Sequence, residues 1–184
     1  MKKYVILSLA VIIAICGIGI RIYKNLYKDA EIIFSYQFIM NGLSDKTENI
    51  YLVYFIDNKG CIYKTEDKNF FYTHMEQYLE ANPNYAKDKK FIFLGQIEED
   101  EWQEKIKCMR EIAMINTDID VRESMTCDVK GQKKWYGYYR KNNKLEAVIL
   151  YGEGDTSYIN KNSKADELVQ WLNGVFGISS DNFK

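Results

Sequence analysis

Histidine, proline and closely spaced cysteines are scarce in this chain. Its 184 residues include one histidine, one proline and four cysteines, and no two cysteines have C-x-x-C spacing. Zinc sites of the usual kind draw three or four ligands from cysteine, histidine and carboxylate side chains, often at short spacings. The composition therefore argues against such a site, and we expect neither a metal nor another cofactor.

Motifs for nucleotide and calcium binding are also missing. The most suggestive segment, Gly152-Glu153-Gly154-Asp155-Thr156-Ser157, has neither the G-x-G-x-x-G pattern nor the Gly-Lys-Ser or Gly-Lys-Thr end of a P-loop. No D-x-D-x-D-G calcium loop is present. A turn between two strands explains the segment, and an acidic loop that contacts a ligand or partner through Asp155 is the alternative.

The few nucleophile candidates have ordinary explanations. His74 falls on the apolar face of a predicted helix, which is typical of a hydrogen-bonded core histidine. The alternative is a nucleophilic Cys–His pair, which would require a cysteine beside His74 in the fold. Cys61, Cys108 and Cys127 form an odd set, which argues against a disulfide framework. Free buried thiols are the simpler interpretation, with one disulfide among the three as the alternative.

An apolar segment opens the chain. Residues 4–20 are 17 consecutive uncharged residues, preceded by two lysines and followed by Arg21. A membrane-spanning helix needs roughly 17–25 such residues, so residues 1–22 are predicted to be an anchor in the lipid bilayer. A cleaved signal peptide and a buried core helix are the alternatives. Lipid attachment at Cys16 is not favoured, because the bulky Ile15 precedes it.

Charge separates this segment from the rest. The first 28 residues contain five basic and no acidic side chains, so the remainder carries 20 basic and 26 acidic ones, a net charge of −6. An acidic domain does not attract nucleic acid by bulk electrostatics. The short, basic N-terminus resembles an export signal and favours a domain outside the cytoplasm. Residues 23–30 are interpreted as a linker and residues 31–184 as one extracytoplasmic domain.

Hydrophobic periodicity indicates an α+β fold. The chain is divided into a strand at 31–40 (or a helix continuing the apolar segment), a hairpin at 50–65, a helix at 69–81, a short buried strand at 91–94, a helix at 99–115, a hairpin at 134–151, a strand at 156–159 and a helix at 163–176. The acidic residues 98–101 suit the positive end of a helix dipole. Hairpins imply antiparallel pairing, so we expect a mainly antiparallel sheet with about three helices packed on one face.

The second hairpin contains an unusual aromatic run, Trp135-Tyr136-Gly137-Tyr138-Tyr139. Side chains alternate along a strand, so Tyr136 and Tyr138 share the face opposite Trp135. Ordinary cross-strand packing is the simpler interpretation of this face. The alternative is that the face exposes its tyrosines, and the surface we would then predict to bind a partner is Tyr136, Tyr138 and Asp155. Gly137 is expected to mark a bulge or a close approach.

These observations predict a non-enzymatic, membrane-anchored binding or interaction module of a bacterial cell envelope, with a protein or peptide partner. The layout of a basic start, one apolar span and a small acidic domain is typical of such proteins. No catalytic residues are assigned. One alternative is a small exported hydrolase using Cys127, Cys61 or Glu153, and another is a structural accessory subunit of a membrane complex.

Overall fold

The chain is described from a computed structural model. The described residues are 27–40, 50–67, 72–82, 84–115, 118–123 and 131–178. The predicted apolar segment at residues 1–22 lies outside these ranges, as do Cys16 and Cys127. Within the described ranges, no helix combines the length and hydrophobicity that crossing a membrane requires.

Nine strands, three α-helices and a short 3-10 helix (Tyr85–Lys87) make up the described part. The strands are β1 (Tyr27–Lys28), β2 (Ile32–Met40), β3 (Ile50–Asp57), β4 (Cys61–Thr65), β5 (Ile92–Gln96), β6 (Ile119–Glu123), β7 (Gln132–Lys141), β8 (Lys144–Glu153) and β9 (Thr156–Asn160). The helices are α1 (Tyr72–Ala81), α2 (Glu99–Met114) and α3 (Ser163–Phe176). The predicted α+β class is confirmed.

All strand pairs are antiparallel, and they form one sheet in the order β5-β4-β3-β2-β7-β8-β9-β6. The short β1 pairs with the end of β7, where Tyr27 lies opposite Lys141. The sheet therefore includes residues within the predicted linker at 23–30, and Ala30 is fully buried. The guanidinium of Arg110, in α2, donates two hydrogen bonds of 2.9 and 2.6 Å to the carboxylate of Asp29. This bidentate ion pair joins the segment after β1 to α2.

Helices cover both faces of the sheet, which corrects the expectation that they cover one. Trp102, Ile106 and Met109 of α2 and Leu168 and Leu172 of α3 are buried in a core cluster on the first face. A second cluster on the opposite face contains Met75 and Leu79 of α1. The two clusters draw on alternate residues of the same strands, as the pleat of a sheet requires.

The helix ends follow local rules. Glu99, Asp100 and Glu101 stand in the first turn of α2, as the acidic run predicts. Asn162 caps α3, because its side chain accepts a hydrogen bond from the backbone N–H of Lys164. Gly177 ends α3 in the left-handed conformation, which glycine adopts readily.

The first hairpin turn, Asp57 to Gly60, connects the sheet to α2. Asp57 Oδ1 accepts hydrogen bonds from the backbone N–H groups of Lys59 and Cys61, each 2.9 Å long. Gly60 has a positive φ of 76°, and a Cβ there would lie 3.2 Å from the Trp102 ring. The turn is thus folded directly over the first buried residue of α2.

Gly137 is the close approach expected from the sequence. A Cβ at this position would lie 2.1 Å from the sulfur of Met109 in α2. The ladder between β7 and β8 also shifts register between Trp135 and Tyr136. The missing side chain therefore lets α2 sit directly on the centre of the sheet.

Candidate functional site

The three residues predicted to bind a partner do not form one exposed surface. Tyr136 is 6% and Tyr138 1% exposed, and both belong to the core cluster that contains α1 residues. Packing of these tyrosines within the sheet is therefore confirmed, and the alternative in which they face solvent is wrong. Asp155 is exposed, in the turn between β8 and β9. A binding role for any of the three stays a prediction.

Tyr138 belongs to a buried polar network instead. Its hydroxyl lies 2.8 Å from Ser35 Oγ, and Gln37 Nε2 donates to both oxygens at 3.2 and 3.3 Å. Ser35 and Gln37 are buried. Burying polar groups is costly unless they bond to one another, so this network fixes the pairing of β2 with β7 on the second face.

The two described cysteines are poorly suited to nucleophilic attack. Burial, followed by the nearby Asp57 carboxylate, raises the pKa of the Cys61 thiol. Burial likewise raises the pKa of Cys108. Reactive cysteines need a lowered pKa, because the thiolate is the nucleophile. Cys127 and the side chain of His74 lie outside the described part of the chain, so a Cys–His pair involving them stays untested.

Among the side chains that the structure describes, Glu153 has a buried oxygen that lacks a hydrogen-bond partner. Its Oε2 atom is buried without a hydrogen-bond partner, and Lys133 Nζ lies 3.8 Å away. Burial, and then the charge of Glu153, raises the pKa of Tyr36. Lys133 and Tyr36 are thus neighbours of the Glu153 carboxylate. The described residues contain no group of three His, Cys, Asp or Glu side chains that is arranged to hold a metal ion.

The clearest unexplained surface is β5, the first edge strand of the sheet. Ile92, Phe93 and Leu94 are 57, 58 and 49% exposed. We predicted a short buried strand at residues 91–94. That prediction of burial is wrong for three of the four residues, because only Phe91 is buried. We call Ile92, Phe93, Leu94, Gly95 and Gln96 the β5 edge.

The β5 edge is held firmly to the domain. β5 pairs with β4 on one side, and no described strand pairs with its other side. The Phe93 ring meets the Tyr63 ring edge-on with centroids 5.7 Å apart, and Tyr63 stacks on Phe55 at 5.1 Å. Gln96 Nε2 also donates to the carbonyl of Lys59 in the first hairpin turn. The exposed side chains are therefore presented on a rigid base.

Sequence reasoning missed this edge because a short apolar run looks the same in a buried strand and in an edge strand. One signal was available. Residues 87–90 read Lys-Asp-Lys-Lys and residues 98–101 read Glu-Glu-Asp-Glu, so exposed charged groups flank the run on both sides. Natural sequences often place charges beside apolar strands that have to be protected from aggregation.

A shallow depression lies next to the start of β5. It is lined by Thr65, Glu66, Asp67 and Lys90 and has a volume of about 380 Å³. Lys90 Nζ and Asp67 Oδ2 form an ion pair of 2.9 Å there. Glu66 pairs with Lys64 beside the depression (3.4 Å), so each charged group of the lining has an ion-pair partner and gives no argument for a small-molecule site.

Comparisons with known proteins returned no match from protein-family models, curated proteins or solved structures. The functional argument therefore rests on the geometry of the chain.

Proposed function

We propose that this chain is a non-enzymatic interaction module, anchored by residues 1–22 in the membrane of a bacterial cell, with its domain on the extracytoplasmic face. Its binding surface for another protein is the β5 edge. The observation that carries this proposal is the exposure of Ile92, Phe93 and Leu94 on the edge of the sheet.

An exposed edge strand is a ready template for a further strand. Its outward N–H and C=O groups can extend the hydrogen-bonded ladder, and its side chains supply contact area on both faces. Proteins normally protect such edges with charges, proline or very short strands. The β5 edge contains no charge and no proline, so its side chains gain by contact with a partner.

The position of β1 supports attachment close to a membrane. β1 begins at Tyr27, only a few residues after the predicted anchor ends, and Asp29 is already bound to α2. An anchor at residues 1–22 would thus be joined to the sheet by a tether of four residues, 23–26. Such a tether restricts how far the domain can move from the lipid surface.

Photocrosslinking in intact cells tests the binding surface. A photoreactive phenylalanine analogue replaces Phe93 in the full chain, and a matched variant carries it at Val121, which is similarly exposed at 54% on β6. We expect a discrete covalent adduct with protein from position 93 and little from position 121. Absence of an adduct at 93, or equal adducts at both positions, would overturn the proposal.

Protease accessibility tests the location. A C-terminal tag on the full chain should remain with the membrane fraction and be digested when cells stripped of their outer wall are treated with protease. A tag that is membrane-bound but protected would place the domain in the cytoplasm. A tag released into the medium would indicate that the N-terminal segment is cleaved and that the chain is secreted.

A further inference from the structure

We infer that the turn between β7 and β8 contacts anionic phospholipid headgroups at the surface of the membrane. This β7–β8 turn consists of Lys141, Asn142, Asn143 and Lys144. The inference rests on the proposed function, because it requires residues 1–22 to be the anchor. The observations that carry it are the pairing of β1 beside the turn and the basic charge of the turn.

The β7–β8 turn lies where the chain enters the domain. Tyr27 of β1 is paired with Lys141, and Lys28 is paired with Arg140. Because β1 and β7 are antiparallel, the direction from Lys28 back to Tyr27 points along β7 toward the turn. The turn is therefore on the side of the domain from which the chain enters it, and this side is nearest to an anchor at residues 1–22.

Side-chain contacts fix the turn to the start of β2. Arg140 Nη2 and Glu31 Oε2 form an ion pair of 2.8 Å, and Glu31 directly precedes β2. Arg140 Nη1 also donates a hydrogen bond of 2.8 Å to the backbone carbonyl of Asn143. Asn142 and Asn143 have positive φ values of 52° and 64°, which is the conformation of a tight two-residue turn. The turn thus cannot swing away from the entry of the chain without breaking these contacts.

The length of the tether keeps the turn close to the lipid. Five chain steps join residue 22 to Tyr27, and an extended chain covers roughly 17 Å over that number of steps. The headgroup layer occupies about 5–7 Å of this distance. Even a fully extended tether therefore leaves only roughly 10–12 Å between Tyr27 and the headgroups. Because the Debye length is about 8 Å at physiological salt, charges on the turn and on the membrane still attract at this separation.

The turn is basic and fully polar. All four of its residues are exposed, which suits the headgroup layer rather than the hydrocarbon core. Lys141 and Lys144 lie directly opposite each other in the β7–β8 ladder, where like charges repel, so an anionic surface beside them stabilises the turn. Glu146 is partly exposed two residues after Lys144 and reduces the positive charge by one. Each lysine close to an anionic membrane strengthens the association about fivefold.

The acidic groups near the entry of the chain are bound within the domain. Asp29 pairs with Arg110 at 2.6 Å, and Glu31 pairs with Arg140. The 28 residues before them contain five basic and no acidic side chains. The entry side therefore keeps an excess of positive charge, although the domain as a whole is acidic.

Other acidic groups lie at a distance from the turn. Asp155 follows the far end of β8, roughly 30 Å from Lys144, since a strand advances about 3.4 Å per residue. β5, which precedes the acidic residues 98–101, lies four strands from β7, or roughly 19 Å. Contact with lipid is therefore expected at the β7–β8 turn, and the β5 edge stays open to a protein partner.

Acylation of lysines in the full chain tests the contact without any substitution. The chain is reconstituted in lipid nanodiscs of phosphatidylcholine, alone or mixed with phosphatidylglycerol, and treated briefly with an uncharged amine-reactive ester before mass spectrometry of its peptides. We expect Lys141 and Lys144 to react about fivefold more slowly in the anionic discs. Lys87 and Lys89, which are exposed before β5, are the matched controls and should react equally in both kinds of disc.

Three outcomes of this experiment would overturn the inference. The first is an absence of slowing at the turn, and the second is equal slowing at the turn and at the control lysines. The third is equal protection of the turn by inorganic phosphate over neutral discs, which would indicate a site for the free anion and not for lipid. Added salt should reduce the difference between the two kinds of disc, because the attraction is between exposed charges.

A single substitution tests whether the two lysines of the turn act together. Lys144→Gln removes one of the two charges, so most of the slowing of Lys141 by anionic lipid should be lost. Lys89→Gln is the matched control, because it changes the net charge equally, and it should leave the slowing of Lys141 unchanged. Equal effects of the two substitutions would show that the net charge of the domain, and not the turn, governs its approach to the lipid.

Retention of the chain in the discs separates this inference from the proposed function. A chain that stays with the discs at high salt and shows no protection of the turn removes the lipid contact alone and leaves the anchor standing. A chain that dissociates from the discs at high salt removes both the anchor and the lipid contact. Retention together with protection of Lys141 and Lys144 supports both.

Discussion

The two edges of the sheet differ in composition and in support. β5 is uncharged, three of its side chains are half exposed, and Phe93 rests on the core through Tyr63. β6 carries Asp120 and Arg122, whose ion pair has a length of 2.8 Å, and none of its residues belongs to either core cluster. The charged edge resists further pairing, whereas the apolar edge is held rigidly and left open.

Exposure alone therefore does not identify a binding edge. Val121 on β6 is as exposed as Phe93, yet charged residues stand on both sides of it. On β5 the exposed apolar residues are consecutive, and the end of the strand is joined to the Asp57–Gly60 turn by the hydrogen bonds from Gln96 and Ile97. Four substitutions test this contrast.

The largest effect is expected at Gly60, in the turn that supports β5. Gly60→Ala forces a side chain into a positive φ and toward the Trp102 ring, and should lower the free energy of unfolding by about 1–2 kcal/mol. Denaturant unfolding of the folded chain measures this. An unchanged midpoint would mean that the turn does not support the β5 edge.

Gly95 is the matched glycine on β5 itself. Its φ is not positive and a Cβ there meets no neighbour, so Gly95→Ala should raise the free energy of unfolding by about 0.5–1 kcal/mol. Denaturant unfolding of the folded chain measures this. A loss of stability would contradict the expectation that the space beside Gly95 is open.

Asp57, in the hairpin turn next to β5, makes the stability of the fold depend on pH. Burial raises the pKa of its carboxyl above the usual value, although two backbone N–H groups act against this. The protonated carboxyl therefore stabilises the fold fully at pH values below its pKa in the unfolded chain. This stabilisation is lost as the pH rises through the higher pKa of the folded chain.

Asp57→Asn keeps an oxygen for the turn but cannot ionise. The stability of the variant relative to wild type should therefore increase as pH rises from about 4 toward neutrality. Thermal unfolding at a series of pH values measures it. A relative stability that decreases over this interval would show that the carboxylate is favoured in the folded turn.

The smallest effect is expected on β6. Arg122 is 67% exposed, and exposed ion pairs contribute little, so Arg122→Gln should change the free energy of unfolding by less than about 0.5 kcal/mol. Addition of salt should make the variant and wild type still more alike. A cost above 1 kcal/mol would show that β6 depends on its charges for stability.

Sequence patterns located most elements because their causes are local. The stripe containing Trp102, Ile106 and Met109 indicated α2, and Gly177 indicated the end of α3. Asp57 to Gly60 and the positive-φ pair Asn142 and Asn143 marked the hairpin turns. Each signal arises from helical periodicity, or from a backbone conformation that few residues adopt.

The candidate site depended on contacts that no local pattern contains. Tyr138 is buried because its hydroxyl meets Ser35, which is 103 residues away along the chain. Tyrosine is equally compatible with a binding surface and with a hydrogen-bonded core, so its alternation in β7 could not decide between them. The exposed residues of β5 were predicted to be buried because a short apolar run has the same pattern in a buried strand and in an edge strand.

The α+β class, the antiparallel hairpins and the acidic charge of the domain can be predicted from the amino-acid sequence, because they follow from neighbouring residues and from composition. The three-dimensional fold was needed to show that β5 and β6 are the edges of the described sheet, that helices cover both faces, and that Tyr136 and Tyr138 are buried. Strand order depends on pairing between distant segments, such as β2 with β7, and an apolar strand is buried or exposed according to whether another element lies beside it.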